Sequence, residues 1–163
     1  MDVIFEIRNR KDQTSQRGQS LLEFAVVLPL LLLLGLGVVE FSRAYFQYNT
    51  LSKAVREGAR YMSDHAYDPI EIAKAQNITV YGNREGTGSP CLPGLAVGNI
   101  SITPRNPDTA EGASRTNPPR WVRVGVTGYT FQPMFPGIVP ISSFTFTPSV
   151  EMRYVGLNAW LDQ

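Results

Sequence analysis

The feature that most constrains this chain is an uncharged apolar run that begins directly after an acidic residue. Residues 24 to 39 read FAVVLPLLLLLGLGVV and contain no charged side chain. With Leu21 and Leu22 added, the run approaches the ~20 apolar residues that a bilayer-crossing helix needs. We therefore predict a membrane span from Leu21 to Val39.

Glu23 lies just inside this span, where a carboxylate is costly: a charge deep in lipid costs on the order of 2.5 to 3.5 kcal/mol even on lenient insertion scales. If the chain were cut after Gly18, Gln19 would become the amino terminus, and the four residues from there to Glu23 rise about 6 Å along a helix. The new ammonium could then meet the carboxylate of Glu23 in the same chain or in a neighbouring chain. At ~4 Å and an effective dielectric constant near 20, such a pair attracts by roughly 4 kcal/mol, which offsets the burial and allows the pair to select a register.

The run RGQSLLEFAVVLPLLLLL resembles the processing site and membrane helix of TadE-like pseudopilins, components of the tight-adherence (Tad) pilus, a branch of the type IV pilus systems. That family has a glycine, four residues, then Glu followed by an aromatic residue, and an apolar run containing proline. Gly18, Glu23, Phe24 and Pro29 fall on those positions. Beyond the span, LSKAVREGARYM is similar to the helix end of the family, and VRVGVTGYTFQPMFPGIVP with PSVEMRY is similar to its carboxy-terminal sheet.

The resemblance implies a minor pilin or pseudopilin that supports biogenesis of the Tad (Flp-type) pilus and surface adherence. A prepilin peptidase would cut between Gly18 and Gln19, and Phe24 would form part of the recognised segment. During assembly, Glu23 would align each subunit against an amino terminus. The implied partners are that peptidase, sister pseudopilins, the major pilin, the inner-membrane assembly platform and the lipid bilayer. The resemblance leaves open whether the chain enters the filament, caps it or stays in the membrane, which sister pseudopilin it is, and whether its amino terminus is methylated.

Charge around the span predicts its orientation. Residues 1–18 carry four basic and three acidic side chains, a net charge of +1. The rest of the chain is balanced, so this segment accounts for the net charge of +1 of the whole chain. Positive residues favour the cytoplasmic side, so we expect a single-pass protein of the bacterial cytoplasmic membrane with an extracytoplasmic carboxy-terminal domain. The chain has no basic tract of the kind that binds nucleic acid.

Two other interpretations of the span remain open. A cleaved secretory signal would need a small-residue site after the apolar core, and residues 35 to 41, GLGVVEF, imitate such a site poorly. An unprocessed single-pass envelope protein, with an extracytoplasmic domain that binds a ligand or acts as a scaffold, explains everything except Glu23 and the family resemblance. Replacement of Gly18 separates this alternative from the pseudopilin, because only the pseudopilin needs processing there.

The pattern predicts four segments: a cytoplasmic leader (1–18), a transmembrane helix (19–40), an amphipathic helical extension (41–63) and an extracytoplasmic α+β domain (64–163). In the extension, apolar residues recur at three- and four-residue steps, which predicts an apolar stripe on which the domain rests. Pro29 removes one backbone donor inside the span and predicts a kink there. The apolar stripe comprises Phe41, Tyr45, Tyr48, Leu51, Val55, Ala59 and Met62.

The domain itself is predicted to contain a short helix and three strands. Asp68 and Pro69 have the residue types of a helix cap and first position, which predicts a helix to about Gln76. Strands are predicted over residues 96–103, 121–132 and 144–154. Within the second strand the apolar residues change parity, and Gly125 and Gly128 indicate a bulge there. We therefore expect an α+β fold, with a pilin-like long helix packed on a small antiparallel sheet of about three strands.

The residue inventory gives little support to catalysis. His65 is the only histidine, so neither a metal site rich in imidazole nor a familiar histidine-based triad is available without unusual substitutes. Asp64, His65 and Asp68 could share a cation, but a solvated helix end is the preferred interpretation. Cys91 is also single, which excludes an intrachain disulfide and leaves a free thiol or an intermolecular bridge. We expect no enzyme activity and no cofactor.

Overall fold

The structure is a computed structural model that describes residues 2–105, 113–114, 117–140 and 142–156, with only the helical backbone over residues 2–17. Two helices and five strands account for most of it, which confirms the predicted α+β class. The helices are α1 (Asp2–Asp64) and α2 (Pro69–Tyr81). The strands are β1 (Ile100–Arg105), β2 (Trp121–Val126), β3 (Tyr129–Phe131), β4 (Phe144–Phe146) and β5 (Ser149–Arg153).

Helix α1 has 63 residues and continues from the apolar span into the amphipathic stretch without interruption. The sequence offers no capping signal between them, so nothing ends the helix at Val39. The described chain divides into two compact units. The first unit takes α1 up to Ser42 together with the segment that starts at Met134, and the second takes the helix from Arg43 together with α2 and the strands.

Helix α2 begins where the sequence predicts and ends later. The side chain of Asp68 accepts a hydrogen bond from the backbone N–H of Glu71 at 2.9 Å, so Asp68 is the amino-terminal cap, followed by Pro69 at the first turn. The helix continues past Gln76 to Tyr81, and Gly82, with φ of 74°, ends it in the left-handed conformation that glycine adopts readily.

The strands form two antiparallel sheets instead of one. The first sheet has the order β1-β2-β5, and the second consists of β3 and β4. The predicted strand over residues 121–132 is therefore wrong as a single element, because the chain leaves the first sheet after Val126 and enters the second at Tyr129. Gly128, with φ of 71°, lies at this break, so the change of parity marks a change of sheet and not a bulge.

The first and third predicted strands are also corrected. A short 3-10 turn over Val97–Asn99 replaces the start of the first one, and β1 then runs on to Arg105. The third divides into β4 and β5 on either side of Pro148, whose missing N–H is unsuited to a continuous ladder.

The core of the second unit lies between α1, α2 and the two sheets, and the second sheet contributes Tyr129, Phe131 and Phe146. Strand β2 supplies a fully buried face of valines, and the carboxy-terminal half of α1 supplies the residues that pack in the same cluster. The predicted seat of the domain on the apolar stripe is thus present over the latter part of the stripe. The core residues from these two elements are Leu51, Val55, Ala59, Met62, Val122, Val124 and Val126.

Candidate functional site

The predicted processing segment lies on a regular stretch of α1. The side-chain amide of Gln19 donates a hydrogen bond to the carboxylate of Glu23 at 3.2 Å, across one helical turn. Residues four apart face the same side of a helix, so residue 19 and Glu23 share one face in the uncut chain. Gly18 has no heavy atom within 4 Å of the position that a Cβ would take. Side chains added at Gly18 therefore meet open space.

The apolar span carries its side chains on the surface. The stretch of α1 from Gly18 onward contains an 18-residue window with a mean hydropathy of 2.5, and none of that window is buried. Leu21 and Leu22 are about 70% exposed, and Phe24 is 57% exposed. A helix of this length and composition is a candidate membrane span, and its exposed surface fits a lipid environment better than the core of a water-soluble domain.

Pro29 lies inside α1, and the helix continues on both sides of it. Proline leaves the carbonyl four residues earlier without its usual helical donor, and membrane helices accept this where neighbours compensate. The predicted kink at Pro29 stays a prediction.

A second acid, which the sequence analysis did not single out, ends the apolar span. Glu40 follows Val39 directly and is only 1% exposed. One carboxylate oxygen, Oε1, accepts hydrogen bonds from the backbone N–H groups of Met134 at 2.5 Å and Phe135 at 3.0 Å. Charged acceptors make stronger hydrogen bonds than neutral ones. Glu40 therefore holds the connector between β3 and β4 against α1 within the first unit.

The connector, which we name the tied loop (residues 133–140), has a compact internal structure. The N–H groups of Ile138 and Val139 both donate to the carbonyl of Phe135 at 3.3 Å, and Gly137 takes a φ of 85° in the turn. Val139 is buried, whereas Met134 and Ile138 are 61% and 57% exposed. The tied loop thus presents two large apolar side chains on a constrained backbone.

The apolar stripe of α1 divides into an exposed part and a buried part. Phe41 and Tyr45 are 70% and 62% exposed, while residues from Leu51 onward are buried. Tyr48 lies between the exposed part and the buried part of the stripe. Its ring is 5.7 Å from that of Phe146 in the second sheet. The amino-terminal members of the stripe are consequently available for contacts outside the chain.

A cleft of ≈ 620 Å³ lies beside the end of α1 and the loop after α2, but its chemistry is mixed. Its charged lining comprises Arg60 and Arg84 on the basic side, with Glu57, Asp64 and Glu85 on the acidic side. Because the lining carries both signs of charge, it does not favour an anionic ligand over a cationic one.

Two of the three groups that could have shared a cation beside α1, His65 and Asp68, have other contacts. The Nδ1 of His65 lies 2.9 Å from the carbonyl of Tyr61, an acceptor, so this nitrogen is the donor. The ring of His65 also stacks on that of Tyr61 at 3.8 Å, and Asp68 caps α2. Among the residues that the structure describes, no group of three or more His, Cys, Asp or Glu side chains could hold a metal ion.

Two side chains near this cleft have shifted acidities. Burial and a hydrogen bond to Glu71 raise the pKa of Tyr61 to about 12. Hydrogen bonds from Lys74 and from Tyr61 hold the pKa of Glu71 below its usual value. The lysine bond is 2.8 Å and the tyrosine bond 2.5 Å. The hydrogen bonds among Tyr61, Glu71 and Lys74 connect the first turn of α2 to α1, and with the burial of Tyr61 they account for the shifted pKa values of Tyr61 and Glu71.

Cys91 is a free cysteine. Its thiol lies 3.7 Å from the carbonyl of Thr79, and burial of the sulfur raises the pKa of the Cys91 thiol. Nucleophilic cysteines are activated by a lowered pKa, so the raised pKa disfavours a catalytic role for Cys91, although the residue is exposed.

Comparison with protein families gives one match, to the TadE-like protein family over residues 18–60. The match begins at Gly18 and covers the apolar span and most of the amphipathic helix. It confirms the resemblance predicted from the sequence, while the similarity of the carboxy-terminal strands lies outside it. Searches of curated proteins and of solved structures give no match.

Proposed function

We propose that this chain is a minor pilin or pseudopilin that supports biogenesis of a Tad (Flp-type) pilus and surface adherence. The observation that carries the proposal is the TadE-like match over residues 18–60, which starts at the glycine predicted to precede the cut. A pilus-related role and a membrane anchor follow at the level of the family. Processing, assembly contacts and topology are the parts that we add.

In the proposed pathway the protein is inserted with its amino terminus in the cytoplasm and its strands outside. A prepilin peptidase then cuts after Gly18, and Phe24 forms part of the recognised segment. The cut gives Gln19 a free ammonium four residues before Glu23. In the uncut chain the side chain of Gln19 already reaches Glu23, which supports a short distance between residue 19 and that carboxylate on one helix face.

The ammonium of Gln19 and the carboxylate of Glu23 would pair within one subunit or between subunits. At ~4 Å, an effective dielectric constant of ~20 gives an attraction of roughly 4 kcal/mol. A mispaired register would lose that attraction and leave a charge in an apolar environment. The pair thus favours the subunit register in which both charges are neutralised, alongside sister pseudopilins and the major pilin on an inner-membrane assembly platform.

The decisive experiment compares Gly18→Val with Gly35→Val in cells that make the pilus. Both glycines lie on α1, and neither has a heavy atom within 4 Å of an added Cβ, so the two positions are matched in local space. Mass spectrometry of the membrane fraction should find Gln19 as the amino terminus in the wild type and in Gly35→Val. Gly18→Val should retain the leader and reduce the fibres recovered by shearing.

An amino terminus other than Gln19 in the wild type would overturn the cleavage step. If Gly18→Val retained normal fibre yield and the wild type retained its leader, the chain would instead be an unprocessed single-pass envelope protein. The two glycine variants therefore separate a processing defect from a general effect of a bulkier residue in the helix.

A further inference from the structure

The tied loop, residues 133–140, is suited to an environment with little water. Three of its residues, Pro133, Pro136 and Pro140, have no backbone N–H to satisfy. The N–H groups of Met134 and Phe135 donate to Glu40, and those of Ile138 and Val139 donate to a carbonyl inside the loop. Within this fully described segment, Gly137 is the one residue whose N–H is not accounted for in this way.

These hydrogen bonds matter because irregular backbone is excluded from lipid unless its N–H and C=O groups have hydrogen-bond partners. A loop exposed to water has no such requirement, since water satisfies the backbone. The side chains point the same way: Met134 and Ile138 are more than half exposed, although both are large and apolar. The loop thus combines exposed apolar side chains with a backbone in which few N–H groups need water as an acceptor.

The position of the tied loop in the first unit is set by Glu40. Glu40 immediately follows the last residue of the apolar run, and its carboxylate is bonded directly to the loop backbone. The loop therefore lies at the depth at which the exposed apolar span ends. Residues 124 to 150 around it contain no Asp, Glu, Lys or Arg, so no charge in that stretch opposes contact with a bilayer.

We propose that the tied loop is a second membrane contact, which rests Met134 and Ile138 in the boundary between head groups and acyl chains of the bilayer that the apolar span crosses. The inference rests on the membrane anchorage in the proposed function and adds a contact outside the helix. Glu40 acts as a positioning residue, since it fixes the loop beside the end of the span. The occupant is phospholipid, because the side chains of the tied loop are uncharged and the loop is continuous with the exposed apolar helix of the same unit.

The test uses the full chain with Cys91→Ser, inserted singly into nanodiscs of phosphatidylethanolamine and phosphatidylglycerol. A nitrobenzoxadiazole label is placed at one new cysteine in each variant: Met134→Cys, Ile138→Cys, Leu31→Cys or Ile70→Cys. Leu31 reports on the span, and Ile70 is an exposed apolar control at the start of α2, 67% exposed. Quenching by nitroxide-labelled lipid is compared with quenching by aqueous iodide.

We expect the labels at Met134 and Ile138 to be quenched by nitroxide lipid several times more strongly than the label at Ile70, with blue-shifted emission. Strong lipid quenching at Leu31 together with iodide quenching at Met134 and Ile138 would overturn this inference and leave the membrane anchor intact. Weak lipid quenching at Leu31 would defeat the anchor and the inference together. Protection of Met134 from both quenchers would mean that protein covers the loop, which also overturns the lipid contact.

Discussion

At the scale of single residues, Glu40 shows how one buried carboxylate can organise a distant segment. Its oxygen accepts two N–H groups from residues 94 and 95 positions away along the chain. Replacement by leucine would remove the acceptor for both donors, and a buried donor left without a partner costs about 1 to 3 kcal/mol. We expect Glu40→Leu to accelerate amide hydrogen exchange in the peptide that covers residues 134–139.

Glu40→Gln is the matched control, because the amide oxygen can still accept both hydrogen bonds. Its exchange should therefore fall between the wild type and Glu40→Leu, and a peptide from β2 should be unaffected in both variants. Wild-type exchange in Glu40→Leu would show that the tied loop does not depend on this carboxylate.

Glu71 gives a pH dependence whose sign follows from its contacts. Hydrogen bonds from Lys74 and Tyr61 lower the pKa of Glu71 from the ordinary 4.5, so its ionised form is favoured in the folded state. The resulting stability is present above the unfolded pKa and is lost as the pH falls through the lower folded value. As the pH falls below ~4.5, we expect the wild type to lose up to about 1 kcal/mol more unfolding free energy than Glu71→Gln.

Denaturant unfolding at neutral and acid pH, followed by tryptophan fluorescence, measures this difference. Glu85→Gln is the control, since Glu85 is an exposed acid of the same region. An equal loss of stability in the wild type and Glu71→Gln would remove Glu71 from the acid response. The same comparison reports whether the contact between the first turn of α2 and α1 stabilises the unit.

At the scale of secondary structure, the contact between α1 and α2 depends on the absence of a side chain at Gly58. A Cβ there would lie 2.1 Å from Oγ1 of Thr79 and 3.2 Å from the carbonyl of Ala75. Thr79 cannot move its hydroxyl freely, because it donates to Ala75 at 2.8 Å. We expect Gly58→Ala to lower the unfolding free energy by about 1 to 3 kcal/mol, the usual cost of overpacking.

Gly98→Ala is the control for this substitution, since nothing lies within 4 Å of its added Cβ. Thr79→Ala should partly rescue Gly58→Ala by removing the closest atom, so the double variant should be more stable than the sum of the single effects. Denaturant unfolding measures all four chains. Equal stability of Gly58→Ala and Gly98→Ala would contradict the close approach of the two helices.

Elements defined by local chemistry were predictable, and elements defined by distant partners were not. The cap at Asp68 follows from two adjacent residues, and it was predicted correctly. The change of parity near Gly128 was also visible, but the sequence does not show that Phe131 pairs with Phe144 in a separate sheet. Glu40 was missed for the same reason, because its donors are far away along the chain and an acid after an apolar run has no local partner.

At the scale of the whole chain, α1 serves two different environments. Its apolar span is exposed, whereas residues from Leu51 to Met62 supply buried side chains to the core of the second unit. The hydrophobic pattern predicted this change, since an uncharged run gives way to an amphipathic period at about Glu40. The candidate processing residues Gly18, Glu23 and Phe24 form a local motif that needs no tertiary contact, so they rest on the sequence and stay a prediction.

The charge of Glu23 provides the sharpest test of assembly. Glu23→Gln retains a side-chain oxygen that can accept the hydrogen bond from Gln19, now 3.2 Å, so the substitution removes the charge and little else from the helix. If a terminal ammonium pairs with this carboxylate during assembly, its loss forfeits roughly 4 kcal/mol at ~4 Å, and fibre yield should fall at least ~tenfold. Cleavage after Gly18 and membrane insertion should persist, because an uncharged amide is cheaper to place in lipid than a carboxylate. Immunoblotting of sheared fibres and of the membrane fraction measures both quantities.

Glu57→Gln is the control. Glu57 is an exposed acid on the same helix outside the span, so its replacement should leave fibre yield unchanged. Wild-type fibre yield from processed Glu23→Gln would mean that subunit register is set without this charge, and the exposed apolar surface of α1 would then have to supply it alone.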